Sequence, residues 1–201
     1  LRGGTFFESA GNAGIGSLVA AMLSAGTASF NEMELLHLLD ENAMEFSVTP
    51  GNNSLSLRLN CHKDRLPLGL DILKSILSES VFPDKEFKRE KRNAIDKRRS
   101  REASPQGMAE DRMAELLYGH HPYAWPRHGS RAGLEALDSG MVKDFYYRVS
   151  LSPAHAVFGI AGDFDGNSEN MLERMIDSLP WSSQSLEMPG TPQFPESPLR
   201  E

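Results

Sequence analysis

The chain has a single cysteine and no long hydrophobic run. Cys61 is the only thiol among 201 residues, which excludes an internal disulfide and leaves the redox compartment open. No window approaches the roughly 18 consecutive apolar residues of a membrane-spanning helix, and no signal-peptide pattern is visible. We therefore expect no membrane span.

An excess of positive charge is also lacking. The net charge is −7, which argues against nucleic acid as a partner. The one strongly basic stretch, Lys85–Arg101, has acidic residues at helical spacing and lacks interleaved aromatic side chains that could stack on bases. This stretch is typical of a solvated helix, and we expect no nucleic-acid partner.

The residues that are present are sufficient for one globular domain with a sizeable core, or for a large domain plus a tail. Hydrophobic residues make up 39% and charged residues 24%, as in ordinary folded proteins. The pattern of apolar and polar residues predicts four strands, and helical spacing of apolar residues predicts helices between and after them. The predicted strands are Leu1–Phe7, a hairpin of Glu45–Thr49 and Leu55–Asn60 around Pro50-Gly51-Asn52-Asn53, and the apolar run Ala154–Ala161.

Start and stop signals place the helices. The predicted helices are Ile15–Ala25, one from a Ser29–Glu32 capping box to Glu41, one from Asp64 with a Leu66–Leu70–Leu73–Leu77 stripe, Lys85–Glu102, one capped by Ser104 to Tyr118, one capped by Asp138 or Ser139 to Arg148, and Ser168–Leu179.

Leu1–Phe7 reads as the middle of a strand, so we expect a piece of a longer polypeptide. We predict a domain over 1–181 and a linker over 182–201, where prolines recur every third residue.

The segment Gly14–Thr27 carries the most information. Its apolar residues lie at helical spacing, and Gly26 suits the left-handed position after a helix. Its frame of Gly14, Met22-Leu23 and Gly26-Thr27 resembles the zinc helix of the M16 peptidases (insulysin, pitrilysin and mitochondrial processing peptidase).

The resemblance implies three zinc-motif positions in this helix. Active M16 members carry His-x-x-Glu-His here, and an ungapped alignment puts Ser17, Ala20 and Ala21 at those places. Two ligands four residues apart on one helix can hold an ion, with the carboxylate as general base. Alanine has no lone pair to donate and a lone serine hydroxyl is a poor zinc ligand, so we expect no metal site in this helix.

Further motifs carry the resemblance from about Gly3 to Leu179. They stand in the family's order and are Phe82-Pro83, the charged Phe87–Lys91 segment, His121-Pro122-Tyr123, Leu134 and Leu137 before Phe145-Tyr146, and Gly162-Asp163. In active members the charged helix supplies a third zinc ligand, a Glu. The equivalent here is Asp96, Lys97 or Arg98, and a cation at that place repels a metal.

The family implies an α+β two-layer fold with helices on one face of a largely antiparallel sheet. It also implies a protein of paired halves that close around a peptide substrate, one half holding zinc. This chain is then the leading domain of the half without the motif. Zinc is expected in the other half, in the same polypeptide or a separate subunit, and the parent is expected to be a zinc metalloendopeptidase.

We assign no catalytic, metal or cofactor residue here and leave substrate-binding residues open. The alternative is a purely structural scaffold of the same fold without proteolysis. By analogy with long bacterial members we expect a periplasmic location if the source is bacterial, and otherwise leave the compartment open.

Other candidate groups favour structural roles. No two of the six histidines have the three- or four-residue spacing of a chelating helix. His121 precedes Pro122, which favours an extended backbone, so we expect it to order its own loop. Cys61 has no partner base in the sequence pattern and is expected to be a half-buried structural cysteine.

Overall fold

The computed structural model describes residues 1–126, 128–153, 156–183 and 190. These residues form an α+β fold, as expected. Its helices are α1 (Ile15–Met22), α2 (Glu32–Glu41), α3 (Leu66–Glu79), α4 (Asp84–Glu102), α5 (Pro105–Tyr118), α6 (Arg131–Ala136), α7 (Ser139–Phe145) and α8 (Gly166–Asp177). Its strands are β1 (Glu45–Pro50) and β2 (Leu55–Asn60).

The predicted hairpin is confirmed. β1 and β2 are antiparallel, with Phe46 opposite Leu59 and Val48 opposite Leu57, so apolar side chains share one face. The turn closes with a hydrogen bond from Gly51 N to Ser54 O of 2.7 Å. Within the described residues this pair is the whole sheet, which is smaller than the largely antiparallel sheet expected from the family resemblance.

The prediction of a strand over Leu1–Phe7 is wrong. The segment makes only an isolated antiparallel bridge between Arg2 and Ser54. Gly4 then adopts a positive φ of 76°, and Thr5–Phe7 form one turn of 3₁₀ helix. A Cβ at Gly4 would lie 1.9 Å from the Gly51 carbonyl oxygen, so glycine lets the chain turn beside the hairpin.

The prediction of a strand over Ala154–Ala161 is wrong for its described part. Ala154 and His155 lie outside the described residues, and 156–161 form no ladder with any described strand. Val157 is 90% exposed although it belongs to the apolar run. An apolar run forms a strand only beside another strand, and the described residues contain none next to it.

Most helices occur where they are predicted, with shifted ends. The second helix is capped by Asn31 in a capping box with Glu34, so the Ser29–Glu32 prediction is wrong. A 3₁₀ turn over Lys63–Arg65 delays α3 until Leu66. The helix after Asp138 ends earlier than expected because α7 passes into a π-helical turn at Tyr146–Ser150.

The main core is built around α1. Leu18, Val19 and Met22 are fully buried there, and α1 packs against α4, α7 and β1. A second apolar cluster joins α3 to α8 through buried leucine and methionine side chains. The candidate positions on α1 therefore lie on a largely buried helix.

No helix among the described residues is long and apolar enough to cross a membrane.

Of the predicted linker 182–201, only Ser182, Ser183 and Gly190 are among the described residues. The linker prediction therefore falls largely on residues outside that part of the chain.

Candidate metal-site region

The three positions that the resemblance aligns with the zinc motif lie on α1. Ser17, Ala20 and Ala21 occupy its middle and last turns, and Ala20 is only 6% exposed within the core. A methyl group there contributes packing and no lone pair. Of the three side chains, only the Ser17 hydroxyl carries an oxygen.

The remaining candidate positions lie on α4, which packs directly against α1. Arg98 Nε donates to Glu102 at 2.8 Å and its Nη1 donates to Asp111 at 2.5 Å. The Arg98 side chain is only 11% exposed in these pairs. This position is therefore filled by a fixed cation with its own carboxylate partners.

The two residues before Arg98 do not compensate. Asp96 and Arg99 lie 3.7 Å apart as an exposed pair on one side of α4. Lys97 brings a second cation to the same turn. A single exposed carboxylate between cations is a poor site for a divalent ion.

Ion pairs join α4 to α5 next to these positions. Arg101 donates to Glu110 at 2.6 Å and to Asp111 at 3.1 Å. Hydrogen bonding to Glu110 raises the pKa of Arg101, and the same contact lowers the pKa of Glu110. Asp111 thus accepts from two arginines and ties the two helices together.

An open cleft of about 760 Å³ runs along α4 and α5. Its lining is polar and includes Asp96, Lys97, Ser104, Glu110 and His128. Among the described residues, no three His, Cys, Asp or Glu side chains converge so that they could hold a metal ion. The residues at the zinc-motif positions do not fit zinc.

Sequence reasoning missed Glu8, which lies at the start of α1. Its side chain is 6% exposed and accepts hydrogen bonds from Gly14 N at 2.7 Å and Gly16 N at 3.0 Å. Burial raises the pKa of Glu8 to about 7, while the two backbone donors act in the opposite direction. A Cβ at Gly16 would lie 3.0 Å from the Glu8 carboxylate, so the glycine makes room for it.

The Gly14-x-Gly16 pattern is the sequence signal for this contact. The glycines do not form a phosphate-binding loop, because the lysine of such a loop is absent. In the structure, Gly14 has a positive φ of 104° and exposes its N–H to the buried carboxylate. Glu8 therefore holds the first turn of α1 in place.

His121 and Cys61 have the expected environments. His121 is extended, with φ −71° and ψ 147°, and its Nδ1 accepts from Tyr123 N at 3.2 Å, so it orders its own loop. Cys61 is a free, half-buried thiol, and burial raises its pKa. A raised pKa disfavours the nucleophilic thiolate.

With the fold and these positions described, comparison with known proteins identifies the family. The sequence profile described as Insulinase (Peptidase family M16) matches residues 1–130, and the chain belongs to this family.

Individual relatives are distant in sequence but similar in fold. The uncharacterized zinc protease YmxG of Bacillus subtilis (strain 168) is 20% identical over 168 residues, covering 82% of this chain and 40% of YmxG. A protease from Helicobacter pylori superposes with a TM-score of 0.83 at 18% identity, over 96% of this chain and 46% of that chain.

A peptidase M16 inactive domain from Pseudomonas fluorescens is similar too, with a TM-score of 0.79 at 19% identity. That match covers 90% of this chain and 45% of the other. This chain therefore spans less than half of the length of each of these three relatives.

Proposed function

We propose that this chain is the non-catalytic domain of an M16-type zinc metallopeptidase. In this proposal it forms part of the wall that encloses a peptide substrate. A second half, in the same polypeptide or in a separate subunit, holds the zinc. The chemistry supplied there is activation of water for attack on a peptide carbonyl.

One observation carries the proposal. The positions that the resemblance aligns with the family's metal ligands carry Ser17, Ala20 and Ala21 on α1, and Asp96, Lys97 or the ion-paired Arg98 on α4. Two of these side chains are held by their surroundings, since Ala20 is buried in the core and Arg98 bridges to α5. Restoring a ligand set would require changes on both helices.

The resemblance to a domain described as inactive supports the same assignment. The zinc protease relative supports zinc in the parent protein. Since the chain matches less than half of that relative, there is room in a longer parent for a zinc-bearing half.

The test uses the parent protein and any co-encoded subunit bearing His-x-x-Glu-His. We expect peptide hydrolysis with one zinc in the motif-bearing half, and loss of hydrolysis when its motif Glu is changed to Gln. Ser17→Ala in this chain should leave zinc content and hydrolysis unchanged. Zinc that is lost with Ser17→Ala would contradict the proposal.

The same experiment addresses the scaffold alternative. A parent assembly that contains no zinc and cleaves no peptide would replace our proposal with a structural role. A parent that cleaves peptides only when this domain is present would support the proposal over the scaffold.

A further inference from the structure

Four aromatic rings meet at the end of α5, and we call this cluster the aromatic surface. Phe6 comes from the turn before α1, Tyr118 is the last residue of α5, and His121 and Tyr123 belong to the loop that follows. The ring centroids lie 4.6 Å apart for His121 and Tyr123, and 5.5 Å apart for Tyr118 and Tyr123. All four residues are half-buried, so the cluster presents part of its apolar area to the outside of the domain.

The His121 ring has a defined tautomer on this surface. Its Nδ1 accepts a hydrogen bond from Tyr123 N at 3.2 Å, so the proton of the neutral ring lies on Nε2. Nε2 therefore donates to the Gly190 carbonyl oxygen, which lies 3.0 Å away. Gly190 belongs to the predicted linker 182–201, so a backbone group of the linker touches the aromatic surface.

The sequence around Gly190 suits such a contact. Prolines recur at every third position, at Pro189, Pro192, Pro195 and Pro198. A polyproline II helix has about three residues per turn and no internal hydrogen bonds, so prolines at this spacing form one ridge and the carbonyl oxygens can accept from a partner. Aromatic-lined grooves are a recurring binding surface for such ridges.

We propose that residues 189–195 dock on the aromatic surface as a polyproline II segment. The Gly190 carbonyl accepts from His121 Nε2, and the Pro192 ring packs against the rings of Tyr118 and His121. Phe194, the one aromatic residue in 182–201, adds its ring to the cluster beside Tyr118. The docked segment sets the path along which the linker leaves the domain. This contact lies within one chain and requires neither zinc nor a second half, so its test is separate from that of the proposed function.

Two observations favour the chain's own segment over a proline-rich peptide from another protein. The His121 donor is already paired with Gly190 of the same chain. Ser182 N donates to Leu151 O at 2.8 Å, so the linker starts from a fixed point on the domain. A short tether gives an effective concentration on the order of millimolar, which favours the tethered segment over a free peptide.

Backbone order parameters, obtained by nitrogen relaxation on the full chain, test the docking. The amides of Thr191, Gln193 and Phe194 should have order parameters of about 0.8, close to those of rigid backbone. Nuclear Overhauser contacts should join the side chains of Pro192 and Phe194 to the Tyr118 ring. Order parameters below about 0.6 at all three amides, or the absence of these contacts, would contradict the proposal.

His121→Asn separates the docking from the local role of His121. The side-chain oxygen of asparagine can still accept from Tyr123 N, as asparagine does at helix starts. Its shorter side chain does not reach the Gly190 carbonyl. The order parameters at residues 191–194 should therefore fall to about 0.6 or lower, while the Tyr123 amide keeps its protection from hydrogen exchange. A segment that stays rigid in this variant would overturn the assignment of His121 as its anchor.

Two proline substitutions form a matched pair. Pro192→Ala removes the ring that packs on the aromatic surface and gives the undocked segment more conformational freedom, so it should lower the order parameters at residues 191–194. Pro198→Ala lies outside the docked residues and should leave them unchanged. Equal effects of the two substitutions would contradict docking over residues 189–195.

An unrelated proline-rich peptide, added to the full chain, tests the other occupant. At micromolar concentration it should leave the order parameters of the segment unchanged, because the tethered segment has an effective concentration on the order of millimolar. Displacement of the segment by this peptide would assign the aromatic surface to a separate partner and overturn the proposal.

Discussion

The family resemblance aligns α1 and α4 with the two parts of a metal site, and different interactions hold the side chains of the two helices in place. On α1, Ala20 lies in an apolar core in which Leu18 and Val19 are fully buried. On α4, the equivalent region is held by charge, with Arg98 and Arg101 paired to Asp111. Apolar packing therefore holds the side chains of α1, and ion pairs hold those of α4.

A core truncation on α1 should have the largest effect. Leu18→Ala removes a side chain that is 1% exposed and leaves a cavity among tightly packed neighbours. We expect a loss of about 2–5 kcal/mol in the free energy of unfolding. Urea unfolding at pH 7 measures it.

Leu36→Ala on α2 is the matched control, because Leu36 is 48% exposed. Its effect should stay within about 0.5 kcal/mol. Equal losses for the two variants would contradict the central place of α1 in the core.

Glu8 is the buried carboxyl that contacts the start of α1, and its contribution to the free energy of unfolding should depend on pH. The pKa of Glu8 is raised from 4.5 to about 7 in the native state. Between these two pH values, the carboxyl is therefore mostly protonated in the native state and mostly ionised in the unfolded state. Stability from this group is present below about pH 4.5 and falls as pH rises through about 7. Wild type should lose roughly 2 kcal/mol from this source between pH 5 and pH 8.

Glu8→Gln should remove that part of the pH dependence, as measured by urea unfolding at both pH values. Glu173→Gln on the exposed face of α8 controls for the loss of one negative charge. If Glu8→Gln leaves the difference between pH 5 and pH 8 unchanged, the buried carboxyl does not titrate as described.

Breaking the α4–α5 ion pairs should cost less than the core truncation. Asp111→Asn leaves Arg98 and Arg101 without their shared carboxylate, and the Asp111 side chain is only 20% exposed. We expect a loss of about 1–2 kcal/mol. Thermal unfolding in low salt measures it, and the loss should shrink in high salt because added ions screen the pairs.

The smallest effect is expected at Asp96. Its pair with Arg99 is long, at 3.7 Å, and both side chains are exposed, so Asp96→Asn should change stability by less than about 0.5 kcal/mol. The variant is also the control for Asp111→Asn. A loss of stability as large as that of Asp111→Asn would contradict this ranking. It would mean that the exposed turn of α4 stabilises the fold through contacts other than its ion pairs.

The sequence was sufficient for features that depend on local patterns. The hairpin followed from alternation around Pro50-Gly51, and α5 followed from the Ser104-Pro105 cap, which donor Gly107 N confirms. The left-handed conformation of Gly26, with φ 121°, was likewise predictable. The helices α1 and α4 could be predicted for the same reason.

Features that depend on distant partners could not be predicted. Glu8 is buried because α1 folds back over it, and no local pattern reports that contact. The run Ala154–Ala161 has strand composition, but strand formation needs a neighbour that composition does not reveal. Helical spacing alone places Glu102 beside Arg98, whereas the shorter ion pair of Arg98 is with Asp111 on the next helix.

The most direct test of the central claim is metal analysis of the purified chain after equilibration with zinc and removal of excess. If α1 and α4 have lost the ligand set, the chain should retain no stoichiometric zinc, and its unfolding temperature should be unchanged by the metal. One tightly held zinc per chain that is lost on substitution of Ser17 or Asp96 would contradict the account.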